Sequence, residues 1–224
     1  MWRKLILVCA AACLAGSLAG AERGAVRALA EGSILVPEKP ADGAPLLVIV
    51  EGGQRGRQVL EMLKPALLEK GIVAVAPTLP QRDPEAGKKA LEPAEALVKA
   101  VESEYGLKTG KRYALSFSAS GPLGYQAAFS NPGKFAGLLV IASMPPGPPS
   151  VGAELLAGGK ALPVLLAHGT NDPMFGVERG RQAEKILKEA GYRVTFRVVE
   201  GADHMGMVNA HAGKYLDWVV SGPK

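Results

Sequence analysis

Tyr113-Ala114-Leu115-Ser116-Phe117-Ser118-Ala119-Ser120-Gly121 is the stretch that decides the fold. Its first three residues read as a strand and Leu123 to Phe129 as a helix, which leaves the serines in the turn between them. Strand-like runs recur on both sides. Leu46-Leu47-Val48-Ile49-Val50 is apolar throughout and leads to Gly52-Gly53, as a strand covered on both faces should. Ile72 to Ala76 (stopped by Pro77), Gly137 to Ala142, Val164 to Ala167 and Val194 to Val199 are further strands. Helical spacing separates them. Ala94, Leu97, Val98 and Val101 recur at i, i+3, i+4 and i+7, and Asp83-Pro84 should cap that helix. Ala183, Ile186, Leu187 and Ala190 repeat the spacing, and Gly191 stands where a left-handed stop belongs. Arg57 to Lys70 contains Pro65, which should kink or break it, and Met207 to Val220 reads as a last helix. This alternation predicts an α/β fold, a mostly parallel central sheet with helices on both faces. Residues 143–160 carry Pro145, Pro146, Pro148 and Pro149 around Gly147 and read as a stiff loop, too short for a cap domain.

The chain has 224 residues, enough for one domain at about 100–200 residues each. With 48% hydrophobic and 21% charged residues it has ordinary globular composition, so a disordered chain is not expected. Two cysteines and three histidines exclude zinc fingers, iron–sulfur cages and disulfide scaffolds. Arg3 and Lys4 precede a chargeless apolar stretch from Leu5 to Leu18, and Ala19-Gly20-Ala21 offers small residues to a signal peptidase. Residues 1–21 are therefore expected to be a signal peptide, cleaved after Ala21 or after Ala19, and residues 22–224 a single domain. A lipobox at Cys13 and an uncleaved anchor are the weaker alternatives. The apolar stretch is shorter than the about 20 residues of a membrane span, so the mature chain should have no stable span and be secreted or periplasmic. Cleavage removes Cys9 and Cys13, which excludes a thiol nucleophile, and lowers the formal charge from +5 to +3. The remaining basic residues are scattered and not interleaved with aromatics, so no nucleic-acid partner is expected.

Parallel sheets bind ligands beyond the carboxyl ends of their strands, where the Ser-rich turn lies. A small-x-Ser-x-small turn between strand and helix resembles the nucleophile elbow of the α/β-hydrolase family. A serine on such a strained turn needs small residues two before and two after it, so that helix and strand can approach. Ser116 and Ser120 meet that need where the family more often has glycine. The resemblance implies that Ser118 is the nucleophile and that the backbone N–H of Ala119 is one oxyanion donor. It is closest to small, lidless carboxylesterases and thioesterases.

The family orders its triad Ser, then Asp or Glu, then His. Val164 to Ala167 runs into His168-Gly169-Thr170-Asn171-Asp172-Pro173, which resembles the segment carrying the family's acid and implies Asp172. Val194 to Val199 runs into Glu200-Gly201-Ala202-Asp203-His204, which resembles the turn carrying the base and implies His204. Among the rivals, His168 should support its own loop, His211 should lie inside the last helix, and Asp203 should be a solvated or structural carboxylate. With His204 as base, activity should rise through roughly pH 6 to 7, around the ordinary histidine pKa of about 6.5. The family's second oxyanion donor follows the first long strand. Here Glu51-Gly52 replaces the common His-Gly, and Gly53 aligns with the donor, with Gln54 as the near alternative.

Phe117, Met144, Phe175 and Met205 are the expected substrate-binding walls, next to the proline loop. No metal or cofactor is implied. The expected partner is a small-molecule or polymer ester, hydrolysed through an acyl-enzyme. A serine peptidase or amidase on the same fold, or a noncatalytic binding protein that kept it, remain open at this point.

Overall fold

The apolar run that ends at Val50 forms β3 (Ala44–Ile49), near the middle of an eight-stranded sheet. The computed structural model describes residues 22–80, 83–159 and 161–223, and the segment read as a signal peptide lies outside them. Before β3 come β1 (Val26–Leu29) and β2 (Gly32–Leu35). After it come β4 (Val73–Pro77), β5 (Thr109–Phe117), β6 (Gly137–Ile141), β7 (Val164–Gly169) and β8 (Val194–Val199). Their order across the sheet is β1-β2-β4-β3-β5-β6-β7-β8. Strands β3 to β8 are parallel, while β1 and β2 form an antiparallel hairpin added to β4.

Seven α-helices are described: α1 (Arg55–Glu69), α2 (Leu91–Tyr105), α3 (Gly121–Phe129), α4 (Ala153–Gly158), α5 (Val177–Glu189), α6 (Gly206–Asn209) and α7 (Gly213–Ser221). Alternation along β3 shows why both faces of the sheet must be covered. Leu46 and Val48 enter a core completed by Leu97 and Val101 of α2, Tyr125 and Phe129 of α3, and Leu187 of α5. Leu47 and Ile49 enter the opposite core, with Leu60, Leu63 and Leu67 of α1 and Tyr215, Leu216 and Trp218 of α7. Each of these aliphatic side chains contributes about 1.5–3 kcal/mol by leaving water. The two cores fix the sheet as a three-layer sandwich whose turns at the carboxyl ends of the strands stay free for chemistry. Among the described residues no helix is long and apolar enough to cross a membrane.

Four local expectations need correction. Helix α1 runs unbroken through Pro65. Pro65 and Glu61 both lie on its exposed side, so water can reach the carbonyl that loses its donor, while the leucines hold the helix to the core. Asp83 does not cap α2. Its Oδ1 accepts the Glu85 N–H at 2.9 Å and opens a 3₁₀ turn over Ala86–Lys89, and α2 begins only at Leu91. The last helical stretch is two helices. The His211 N–H reaches back to the Gly206 carbonyl, which ends α6 and leaves His211 in the break before α7. Finally, the irregular region at 143–160 contains the short helix α4. Gly191 does end α5 as expected, at φ +91°.

Candidate active site

Because β5 to β8 are neighbouring parallel strands, the turns after β5, β7 and β8 open on one edge of the sheet. Ser118, Asp172 and His204 come together there. Ser118 follows β5 directly and holds φ at +58°, a left-handed conformation that costs a non-glycine residue about 1–3 kcal/mol. Small neighbours make the turn possible. A Cβ on Gly124 would run into Ser116 Oγ, and one on Gly121 into Ser143 Oγ, so α3 meets β5 and β6 with no room to spare. The Ser143 hydroxyl donates to the Ser118 carbonyl at 2.5 Å and holds the turn from the β6 side. Sequence reasoning passed over Ser143; its signal was a serine directly beyond a strand at the ligand edge.

The His204 ring lies between its two partners. Nδ1 is 2.7 Å from Asp172 Oδ2, and Nε2 is 2.9 Å from Ser118 Oγ. An ionised carboxylate only accepts, so Nδ1 carries the proton and Nε2 is left to accept from the serine hydroxyl. Asp172 is itself fixed, since its Oδ1 accepts the N–H groups of Met174 and Phe175, each at 2.8 Å. Ser118, Asp172 and His204 are all buried.

Phe117 and Phe175 are not simple pocket walls. Their ring centroids lie 4.8 and 5.5 Å from that of His204, each at 29° to the imidazole plane, so the histidine is stacked against both. Phe117 is buried beneath it. Met144 does line a cleft of about 450 Å³ together with Gly52, Arg55, Ala119, Pro122 and Ser150. A neighbouring cleft of about 590 Å³ shares Pro122, Met144 and Ser150 with it and is walled by the proline loop. Met205 is 44% exposed beside His204. The rivals take structural places. The His168 ring donates through Nδ1 to the Phe175 carbonyl at 3.2 Å, and burial lowers its pKa, which keeps it neutral. Asp203 Oδ1 accepts the Gly206 N–H at 2.6 Å.

The donors expected for an oxyanion divide. Among the described residues the Ala119 N–H has no partner and remains available. The Gly53 N–H is already engaged by the Leu79 carbonyl at 2.8 Å, within an isolated bridge, so the role expected for Gly53 does not fit this geometry. The Gln54 N–H has no partner among the described residues and replaces it as the candidate. Gln54 has φ −77°, close to the angle proline requires, and it stands at the N-cap of α1, where a missing N–H costs the helix nothing. Gln54→Pro should therefore lower turnover about 10²–10³-fold with little change in thermal midpoint, while Gln54→Ala keeps near wild-type turnover. Steady-state rates and a melting curve for both variants check this. Unchanged turnover in Gln54→Pro would exclude this donor.

Glu51, where the family commonly has histidine, is fully buried at the end of β3. Its Oε1 accepts the Phe117 N–H at 2.6 Å, and Oε2 has no hydrogen-bond partner. Burial raises its pKa from 4.5 to about 7, opposed by the Ser120 hydroxyl, the Phe117 N–H and the charge of Arg55; no well-formed hydrogen bond joins it to Ser120. The sign of the stability effect follows. Between pH 4.5 and 7 the folded state holds a proton that the unfolded state has lost, so stability falls as pH rises through that window. The full penalty above it is about 3 kcal/mol. Glutamine does not titrate, so the unfolding free energy of Glu51→Gln minus that of wild type should rise by about 3 kcal/mol from pH 4.5 to 8. Urea unfolding at both pH values measures it, and a difference independent of pH would contradict the burial argument.

The sheet, the strained serine turn and the order Ser, Asp, His along the chain define an α/β-hydrolase. Residues 71–210 match the phospholipase/carboxylesterase family, and the chain belongs to it, and with it to the carboxylic ester hydrolases. Similar solved structures have the same fold at low identity. An S-formylglutathione hydrolase from Agrobacterium tumefaciens is 16% identical, with 84% of this chain and 88% of that one covered at a TM-score of 0.63. Est1E from Butyrivibrio proteoclasticus is 12% identical, with 85% and 94% covered at 0.62. A truncated carbohydrate esterase from gut microbiota is 13% identical, with 84% and 89% covered at 0.64. No curated protein sequence matches the chain.

Proposed function

We propose that the protein is a secreted or periplasmic serine esterase that cleaves carboxylic esters through a Ser118–His204–Asp172 triad, after removal of residues 1–21. The observation that carries this reading is the continuous relay from Asp172 Oδ2 through His204 to Ser118 Oγ, with links of 2.7 and 2.9 Å. His204 Nε2 takes the hydroxyl proton as Ser118 Oγ attacks the ester carbon, and the imidazolium that forms is stabilised by Asp172. The carbonyl oxygen, now an anion, turns toward the N–H groups of Ala119 and Gln54. Collapse of the tetrahedral intermediate breaks the bond to the alcohol, which leaves with the proton from Nε2. Water then attacks the acyl carbon as His204 Nε2 takes its proton. The second tetrahedral intermediate collapses by breaking the bond to Ser118 Oγ, which takes that proton back from Nε2 as the acid leaves. The stacked rings of Phe117 and Phe175 hold the imidazole in one plane through both transfers.

The clefts beside Ala119 are open and walled by Met144 and prolines, which suits a small ester or the exposed ester of a polymer. The purified chain lacking residues 1–21, assayed on p-nitrophenyl esters and on the matching p-nitroanilides, should hydrolyse the esters and leave the amides nearly untouched. Preferential hydrolysis of the anilides would overturn the ester assignment in favour of an amidase, and a folded protein inert to both would favour a binding protein.

A further inference from the structure

The serine turn is held from both sides, by Ser143 beyond β6 and by Glu51 beyond β3. Along β3 and β5 the parallel ladder continues to the Val50 N–H, which donates to the Leu115 carbonyl at 2.8 Å. At the next step the two backbones part, and the Phe117 N–H is met by the Glu51 side chain at 2.6 Å. That N–H belongs to the residue directly before Ser118, whose φ of +58° is where the turn stores its strain. Strained backbone persists only where its surroundings over-determine it. A fully buried carboxyl with one oxygen unpartnered is a costly means of satisfying one N–H, so a purely structural role explains Glu51 poorly.

We propose that Glu51 is a positioning residue of the reaction: by accepting the Phe117 N–H through Oε1 it fixes the backbone that sets the height of Ser118 Oγ against His204. This rests on the serine-esterase reading above. Ser143 and Glu51 then form two clamps, one on the carbonyl of Ser118 and one on the amide that precedes it. Glu51 touches neither substrate nor reacting atoms and acts through the backbone alone.

The test is a series at Glu51, assayed on a p-nitrophenyl ester well below each variant's melting temperature. Glu51→Ala leaves the Phe117 N–H bare and should lower kcat about 10- to 100-fold, with KM within about threefold of wild type. Glu51→Gln retains an oxygen acceptor of the same reach, and its kcat should stay within about threefold of wild type. Glu51→Asp is one methylene shorter, cannot reach the N–H, and should lose kcat as Glu51→Ala does. Should Glu51→Ala fail to fold, the Gln and Asp pair decides the matter by itself. Equal losses in Gln and Asp, wild-type kcat in Asp, or a loss confined to KM would overturn the proposal. Fluorophosphonate labelling of the same proteins keeps the two readings apart. Absence of a Ser118 adduct in wild type would overturn the esterase reading together with this one. A Ser118 adduct that forms at one rate in wild type and in Glu51→Asp would overturn the positioning role alone.

Discussion

Ser118→Ala should lower ester turnover about 10⁶-fold, to a residual rate still above that of water, and leave the melting temperature close to wild type. The magnitude follows from what the hydroxyl does. Without Oγ no acyl-enzyme forms, and His204 has nothing to deprotonate except water, which no turn of backbone holds in place. What survives is the stabilisation of the oxyanion by the Ala119 N–H and its partner, together with binding in the cleft, worth about 10³–10⁴ over the uncatalysed reaction in comparable enzymes. The fold is indifferent, because the strain at φ +58° is the same for alanine and the Ser143 hydrogen bond is made to the backbone carbonyl, not to the lost hydroxyl. A loss below about 100-fold would mean that another group attacks the ester. Initial rates at saturating substrate, with a melting curve on the same sample, measure both halves of the expectation.

Asp172→Asn should lower kcat about 10⁴-fold, because it puts a proton on the wrong nitrogen. Asp172 Oδ1 accepts two backbone N–H groups at 2.8 Å, from Met174 and Phe175. In asparagine the carbonyl oxygen must take that place, because an NH₂ there would face two donors. The NH₂ is then turned to His204 Nδ1, at the position where Oδ2 now stands at 2.7 Å. It can only donate, so Nδ1 gives up its proton and Nε2 acquires one, pointed at Ser118 Oγ. The base arrives already protonated. The turn after β7 keeps its shape, since its two N–H bonds are retained, so the melting temperature should move little. Wild-type kcat in Asp172→Asn would remove the carboxylate from the mechanism. A similar loss accompanied by collapse of the fold would make it structural.

The central sheet could be read from the chain because its signal is local. A run such as Leu46 to Val50, bounded by glycines, needs no distant partner to declare itself a buried strand. The same holds for Ser118, Asp172 and His204, each of which stands directly past an apolar run, so that parallel strands had to bring them to one edge. The hairpin β1–β2 escaped notice because four residues per strand carry too little periodicity, and what defines it is pairing with β4 across some forty residues of chain. The error at Gly53 is of the same kind. Nothing near Gly53 in sequence announces that Leu79 will claim its N–H. Phe117 and Phe175 looked like pocket walls because aromatic residues beside a polar turn often are; only the third dimension places both rings against the imidazole of His204. Glu51 was visible as a departure from a histidine, yet its contact with the Phe117 N–H spans the gap between two strands.

The most direct test is to expose the purified chain to a fluorophosphonate and to determine by peptide mass which side chain carries the phosphonyl group. A relay that turns one hydroxyl into a nucleophile requires a single adduct on Ser118, lost in His204→Ala as well as in Ser118→Ala. A folded protein that takes up no label, or takes it up elsewhere, or is labelled as fast without the imidazole as with it, would contradict the account.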